Sequence, residues 1–263
     1  MKKNAWVICM VLAATTVCFP SPTTAALVLT GGSYGQNFDG VGSGLPTGWG
    51  VYSGASASTL GSAASFNTTI TSWGGTSPGG FYNVASTDGL SASSDVTAQS
   101  ASTDRALGFR QVNTGNLDPG AAVVLNIQDT VGLGNFALSL KVQFLDNNGR
   151  STDLVVDYRI GNSGAFTTLT TYPDPNTFGS TTISLNSTDL TAWNNQSSEI
   201  WFRIVALNAS TGSGSRDTFG IDDFSLSYSP VPEPTSVALG LFGVGLLAVS
   251  GTRAWLRARR TAL

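Results

Sequence analysis

The sequence predicts an all-β fold, an antiparallel β-sandwich of jelly-roll type, set between two terminal segments of different character. Three observations lead there. Runs of apolar–polar alternation recur through residues 27–229. Clusters of Gly, Asn, Asp and Ser separate them at short intervals, with 31 glycines in 263 residues. The middle of the chain shows no three-to-four-residue apolar period of the kind an amphipathic helix needs.

The elements follow in order. Residues 60–95 are low in charge and rich in Ser, Gly and Thr, and read as long loops beside short strands. Phe136, Leu138, Leu140, Val142 and Phe144 share one face of a half-buried strand, with Ala137, Ser139, Lys141 and Gln143 on the other. Asp146-Asn147-Asn148-Gly149 signals a turn, after which Leu154, Val156, Tyr158 and Ile160 point inward again. A second turn, Gly161-Asn162-Ser163-Gly164, leads into the strand at Phe166–Leu169. Glu199–Leu207 is apolar on nearly both faces and reads as a central strand, and Phe219–Tyr228 closes the domain. No fixed internal period appears, so residues 27–229 form one expected domain. Many short strands without crossover helices select the sandwich.

Charge and composition exclude several classes of function. Between Leu27 and Pro230 there are seven basic residues against fifteen acidic ones, a net charge of −8, and Lys141 is the one lysine. Such a domain is a poor match for phosphate backbones, so nucleic acid is not an expected partner. The chain has no histidine, and its two cysteines, Cys9 and Cys18, lie in the N-terminal apolar run. That removes Ser-His-Asp and Cys-His catalysis and ordinary zinc sites from the domain.

The two ends read as addresses. Lys2 and Lys3, an apolar run from Trp6 to Phe19 and the small residues up to Ala26 have the order of a secretory signal, giving a signal peptide over residues 1–26 that signal peptidase would remove. At the other end Val231-Pro232-Glu233-Pro234 precedes an uncharged stretch over 235–252, and a basic tail over 253–263 holds Arg253, Arg257, Arg259 and Arg260. Eighteen residues of helix span about 27 Å, close to the hydrocarbon thickness of a membrane. The arginines orient its C-terminal end inward, consistent with export of the domain.

This tripartite tail, residues 230–263, resembles the PEP-CTERM sorting signal of Gram-negative bacteria. The resemblance implies recognition by a membrane-embedded exosortase, cleavage near Pro232, Glu233 and Pro234, and release from the inner membrane to the cell surface or matrix. Within the domain, Asn37-Phe38-Asp39-Gly40 with Leu45-Pro46 to Trp49, Asp104-Arg105-Ala106-Leu107-Gly108, and Ile221-Asp222-Asp223-Phe224 resemble segments of a functionally mixed group of secreted bacterial β-sandwiches. In related jelly-roll modules an Asp of the closing strand helps to hold a structural calcium with an acidic residue near the first strand. By that resemblance Asp222 and Asp223 pair with Asp39 as calcium ligands. The competing reading is a hydrogen-bonded bulge, or pairing with Arg105 or Arg216.

Chemistry beyond that is sparse. The domain has a single Glu, Glu199, and its Asp residues fall mostly in turns, so no acid–base pair for glycoside hydrolysis emerges. Trp73 and Trp193 sit among polar neighbours in expected loops and are candidates for stacking on sugar rings, while Trp201, in an apolar strand, is expected in the core. The sequence therefore points to a non-enzymatic structural or interaction protein of the cell surface or of an exopolysaccharide (biofilm) matrix, with no cofactor unless calcium. A carbohydrate-binding module is the alternative, and a secreted hydrolase comes third.

Overall fold

The computed structural model describes residues 25–231. The bulk of the expected signal peptide, the expected membrane helix over 235–252 and the basic tail lie outside the described residues, and no helix among those described is long and apolar enough to cross a membrane.

In chain order the strands are β1 (Ser33–Gln36), β2 (Trp49–Ser53), β3 (Ser62–Ala63), β4 (Phe66–Ile70) and β5 (Gly80–Ala85). After a short helix, α1 (Val96–Ala101), come β6 (Arg105–Arg110), β7 (Ala122–Ile127), β8 (Leu133–Asp146), β9 (Arg150–Ser151) and β10 (Leu154–Ile160). They are followed by β11 (Thr167–Tyr172), β12 (Gly179–Leu185), β13 (Ile200–Val205), β14 (Thr211–Gly212) and β15 (Thr218–Pro230).

Two sheets face each other in a jelly-roll-like sandwich. One runs β12-β8-β15-β6-β5-β4, with β1 also paired to β15; the other runs β11-β10-β13-β7-β2-β3. The pairs are antiparallel apart from β4 with β5, which run parallel and depart from the all-antiparallel expectation. The alternation read from the sequence sets which faces meet. Phe136, Leu138, Leu140, Val142 and Phe144 of β8 and Leu154 and Val156 of β10 enter the common core, with Ile200, Phe202 and Ile204 of β13 and Phe219, Ile221, Phe224 and Leu226 of β15. Aromatic rings run through its centre in edge or tilted contact: Phe38 to Trp49 at 4.9 Å, Trp49 to Phe224 at 5.1 Å and Phe224 to Phe202 at 6.0 Å.

The helix α1 is a second departure, since no helix is expected here. Six residues show no period, and the helix is fixed from outside itself. Asp95 caps it by accepting the Ala98 N–H at 2.8 Å. Gln99 ties it to the neighbouring loops, accepting the Trp73 N–H and donating to the Ser94 carbonyl, both at 2.8 Å.

Candidate functional site

The paired aspartates of β15 sit where that strand changes neighbours. Ile221 still pairs with Leu107 of β6, whereas Phe224 pairs with Gln36 of β1. Between them the register with β8 slips, and Asp223 takes a left-handed φ of 45°. This is a β-bulge, and it explains why the alternation breaks at those two residues. The Asp222 side chain turns inward and is buried. Its Oδ2 accepts from Ser86 Oγ at 2.8 Å and Gln143 Nε2 at 3.2 Å, and its Oδ1 from the Asp223 N–H at 2.8 Å. Burial pushes the Asp222 carboxyl up to about 7, against the Ser86 and Asp223 hydrogen bonds, with the Asp223 and Asp104 charges adding to the rise.

Asp223 points outward, where Lys141 Nζ lies 2.7 Å from its carboxylate and 2.7 Å from that of Asp88. Those hydrogen bonds, Asp223's first, hold the Lys141 ammonium above its ordinary range. Asp39 accepts the Arg105 N–H at 2.9 Å through Oδ1 and Asn37 Nδ2 at 2.6 Å through Oδ2.

The three expected calcium ligands are therefore neighbours of one bulge. Calcium takes six to eight oxygen ligands, and in this structure each of these carboxylates is engaged by protein donors. Among the described residues no three His, Cys, Asp or Glu side chains are grouped as a metal requires. The hydrogen-bonded bulge of the competing reading is present. Its cationic partner is Lys141, not Arg105 or Arg216; Arg216 pairs with Asp118, and Arg105 donates to Asn83 Oδ1.

The tryptophans are placed opposite to expectation. Trp193 is 0% exposed and Trp73 is 3% exposed, so neither offers a ring face to a sugar. Trp193 ends a short 3-10 turn (Thr191–Trp193) that folds its ring onto Phe136, Tyr158 and Phe202. Trp73 donates its Nε1–H to the Ala85 carbonyl at 2.9 Å and is covered by Phe178, 5.0 Å away. Both loops have polar sequences yet fold their tryptophan into apolar packing, Trp193 in the main core and Trp73 in a second buried cluster. Trp201, by contrast, is half-buried on the outer face of the six-stranded sheet, its Nε1 donating to Asn162 Oδ1 at 3.3 Å.

Protein covers that outer face at Arg203. The loop after β2 lies across it, held by Arg203, which donates to the Ser56 carbonyl at 2.8 Å and the Thr59 carbonyl at 3.0 Å. The Phe166 ring stacks on the Arg203 guanidinium at 3.4 Å, and its N–H bonds the Ala57 carbonyl.

A groove of about 630 Å³ opens beside Trp73, lined by Phe178, Gln99, Asn147, Asn176 and Asp146 among others. Phe178 is half-buried there, an apolar ring beside the amides of Gln99, Asn147 and Asn176 and the Asp146 carboxylate. Sequence reasoning missed Phe178 because a lone Phe between Thr177 and Gly179 carries no signal of its own.

The described chain ends at this same sheet. β15 is paired with β8 as far as Pro230, opposite Leu133, and the Val231 N–H bonds the Gly132 carbonyl at 2.8 Å. The strand thus runs beyond residue 229, the expected end of the domain, to the edge of the Pro-Glu-Pro motif.

Comparison with known proteins gives a match to the PEP-CTERM protein-sorting motif over residues 230–258. No curated protein matches the sequence. Among solved structures the chain is similar to Xylanase10C of Cellvibrio japonicus in complex with xylopentaose, at 12% identity and a TM-score of 0.36, covering 70% of this chain and 27% of that one. It is also similar to the xylan-binding module CBM15, at 12% identity and a TM-score of 0.39, covering 76% of this chain and 100% of the module. A xylan-binding domain from family CBM 22 aligns at 9% identity and a TM-score of 0.41, covering 76% of this chain and 96% of that domain.

Proposed function

We propose that this chain, which carries a PEP-CTERM sorting motif, is an exported, non-enzymatic protein of the cell surface or extracellular matrix, delivered by an exosortase-type peptidase. The observation that carries the reading is the motif itself, set between a folded β-sandwich and an apolar stretch followed by arginines. Deleting Pro232–Pro234 should leave the protein in the inner-membrane fraction; unchanged surface delivery would sink the proposal.

The non-enzymatic part is supported by how the ionisable groups of the domain are used. Asp157 is paired with Arg203, Asp118 with Arg216, Asp146 with Arg110, and Lys141 with two aspartates. These are structural partnerships, and the chain has no imidazole to serve as a base near neutral pH. Catalytic turnover that survives purification and vanishes in a single Asp substitution would overturn it.

A second reading, binding of a neutral polysaccharide, is favoured by the amide-lined groove at Phe178. Glycan-array binding lost in Phe178→Ala, with an unchanged melting temperature, is its expected signature. No binding across neutral glycans would remove it.

A further inference from the structure

Beyond the loop that covers Arg203, three side chains form a row across the outer face of the six-stranded sheet. Trp201 of β13 lies directly opposite Arg159 of β10 on one side and Asn126 of β7 on the other. Leu125, Ile127, Ile200 and Phe202 enter the core, so Asn126 and Trp201 between them face outward. At the usual strand spacing the row is about 10 Å long. Trp201 is the one tryptophan among the described residues that is not buried.

Its ring is held in place as well as half-exposed. Arg159 donates from Nε to the Gly161 carbonyl at 3.1 Å and from Nη1 to that of Gly164 at 3.5 Å, which fixes the turn between them. Asn162, within that turn, accepts the Trp201 Nε1–H at 3.3 Å. A ring fixed before binding adds no ordering penalty to association. Beside it the Asn126 amide is left over. The backbone N–H and carbonyl of Asn126 bond Gly48 and Leu27, both at 2.8 Å. Its Oδ1, in a residue only 7% exposed, is buried without a hydrogen-bond partner among the described residues. An unpaired buried acceptor is costly to a fold, and an amide offers both a donor and an acceptor to a group that reaches it.

An apolar ring beside an unpaired amide matches a pyranose, whose C–H face covers the ring while its hydroxyls donate and accept at the edge. The row offers little to an anion. Arg159 is engaged by carbonyls, that of Ser58 at 3.4 Å included. Burial, and after it the Glu199 charge, push the phenol of Tyr52 up. Tyr52 and Trp201 pack against the same outer cluster, so a carboxylate overlooks this surface.

We infer that Trp201 and Asn126 form a binding site for a neutral polysaccharide. A pyranose ring stacks on Trp201, one of its hydroxyls bonds the Asn126 amide after a small rotation of that side chain, and Asn162 positions the platform. The inference rests on the second reading above for its ligand class and assigns a site other than the groove at Phe178.

The test is affinity electrophoresis of the purified full chain in gels holding a mixed-linkage β-glucan, a galactomannan or dextran, with alginate as the polyuronate contrast. At least one neutral polymer should retard the protein. Trp201→Ala and Asn126→Leu should each weaken that binding on the order of tenfold, and Trp201→Phe, which keeps a ring, should weaken it less. Asn126→Leu should at the same time hold or raise the melting temperature, because it removes a buried unpaired acceptor. Weaker binding in a protein at least as stable separates a ligand contact from a folding defect. Phe178→Ala is the control. Binding unchanged in Trp201→Ala or in Asn126→Leu overturns the assignment; if it is then lost in Phe178→Ala, the groove alone stands. Binding lost in Trp201→Ala and kept in Phe178→Ala supports this site and removes the groove. Retardation by alginate alone, or by no polymer, overturns both.

Discussion

Arg203 is fully buried against Asp157, its Nε and Nη2 bonding the two carboxylate oxygens at 2.6 and 2.9 Å across the β10–β13 pair. The pair sits on the outer face of a sheet, where charge would ordinarily meet water. It is buried because the loop at Ser56–Thr59 and the Phe166 ring close over the guanidinium. Removing one partner leaves the other charge buried and unpaired, so Arg203→Met should lower unfolding stability by about 3–5 kcal/mol in urea titration. The same variant should make the loop after β2 sensitive to protease. Adding Asp157→Leu should return much of the loss, since an apolar pair replaces an ion pair at little net cost. A single substitution within 1 kcal/mol of wild type would show that the loop does not depend on this contact.

The Asp222 carboxyl gives the domain a defined pH dependence. Its folded pKa, about 7, lies above the unfolded value of 3.8. The folded state therefore holds the proton more tightly. Stability from this group is complete below about pH 4 and is lost as pH rises through about 7, with a total up to about 4 kcal/mol. Asp222→Asn keeps the shape and stays neutral, so it should flatten the fall in melting temperature between pH 5 and 8. An unchanged slope in this variant would assign the pH dependence elsewhere, with Asp217, raised to about 6 chiefly by burial, the next group to substitute.

What was legible in the sequence follows a physical divide. β8 was readable because one of its faces meets the core and the other does not, so burial writes itself as alternation from Phe136 to Phe144. β13 is apolar on both faces, and nothing local tells which side Trp201 takes; its placement depends on a loop that covers Arg203 from elsewhere in the chain. Trp73 and Trp193 were misplaced for the same reason, since polar neighbours report the loop's outer surface and not the ring folded beneath it. The break at Asp222-Asp223 was visible as broken alternation. Its cause, the handover of β15 from β6 to β1, is a pairing over long sequence separation and left no local trace. The sorting motif was fully legible because it acts as a linear signal and needs no fold.

The exchanged tryptophans make a paired prediction. Trp193→Ala removes a ring packed on three others at the centre of the core and should cost about 3–5 kcal/mol, with loss of near-ultraviolet circular dichroism. Trp201→Ala removes a half-buried ring from an outer face and should cost about 1–2 kcal/mol by area. Equal costs in urea titration would contradict the assignment of the two rings to inside and outside.

The bulge at Asp222-Asp223 leads to a statement about calcium. A site that needed the ion would be destabilised without it, because ligand binding to the folded state adds stability by mass action. Here Ser86, Gln143 and the Asp223 N–H engage Asp222, Lys141 spans Asp88 and Asp223, and the Arg105 N–H and Asn37 amide engage Asp39. The melting temperature at pH 7 should therefore be the same in millimolar EDTA and in millimolar calcium. Lys141→Met should lower it in both media, since two carboxylates then face each other without their shared cation. A fall of several degrees in EDTA that calcium reverses would mean that Asp39, Asp222 and Asp223 exchange these protein donors for the ion, and the bulge would have to be redrawn as a metal site.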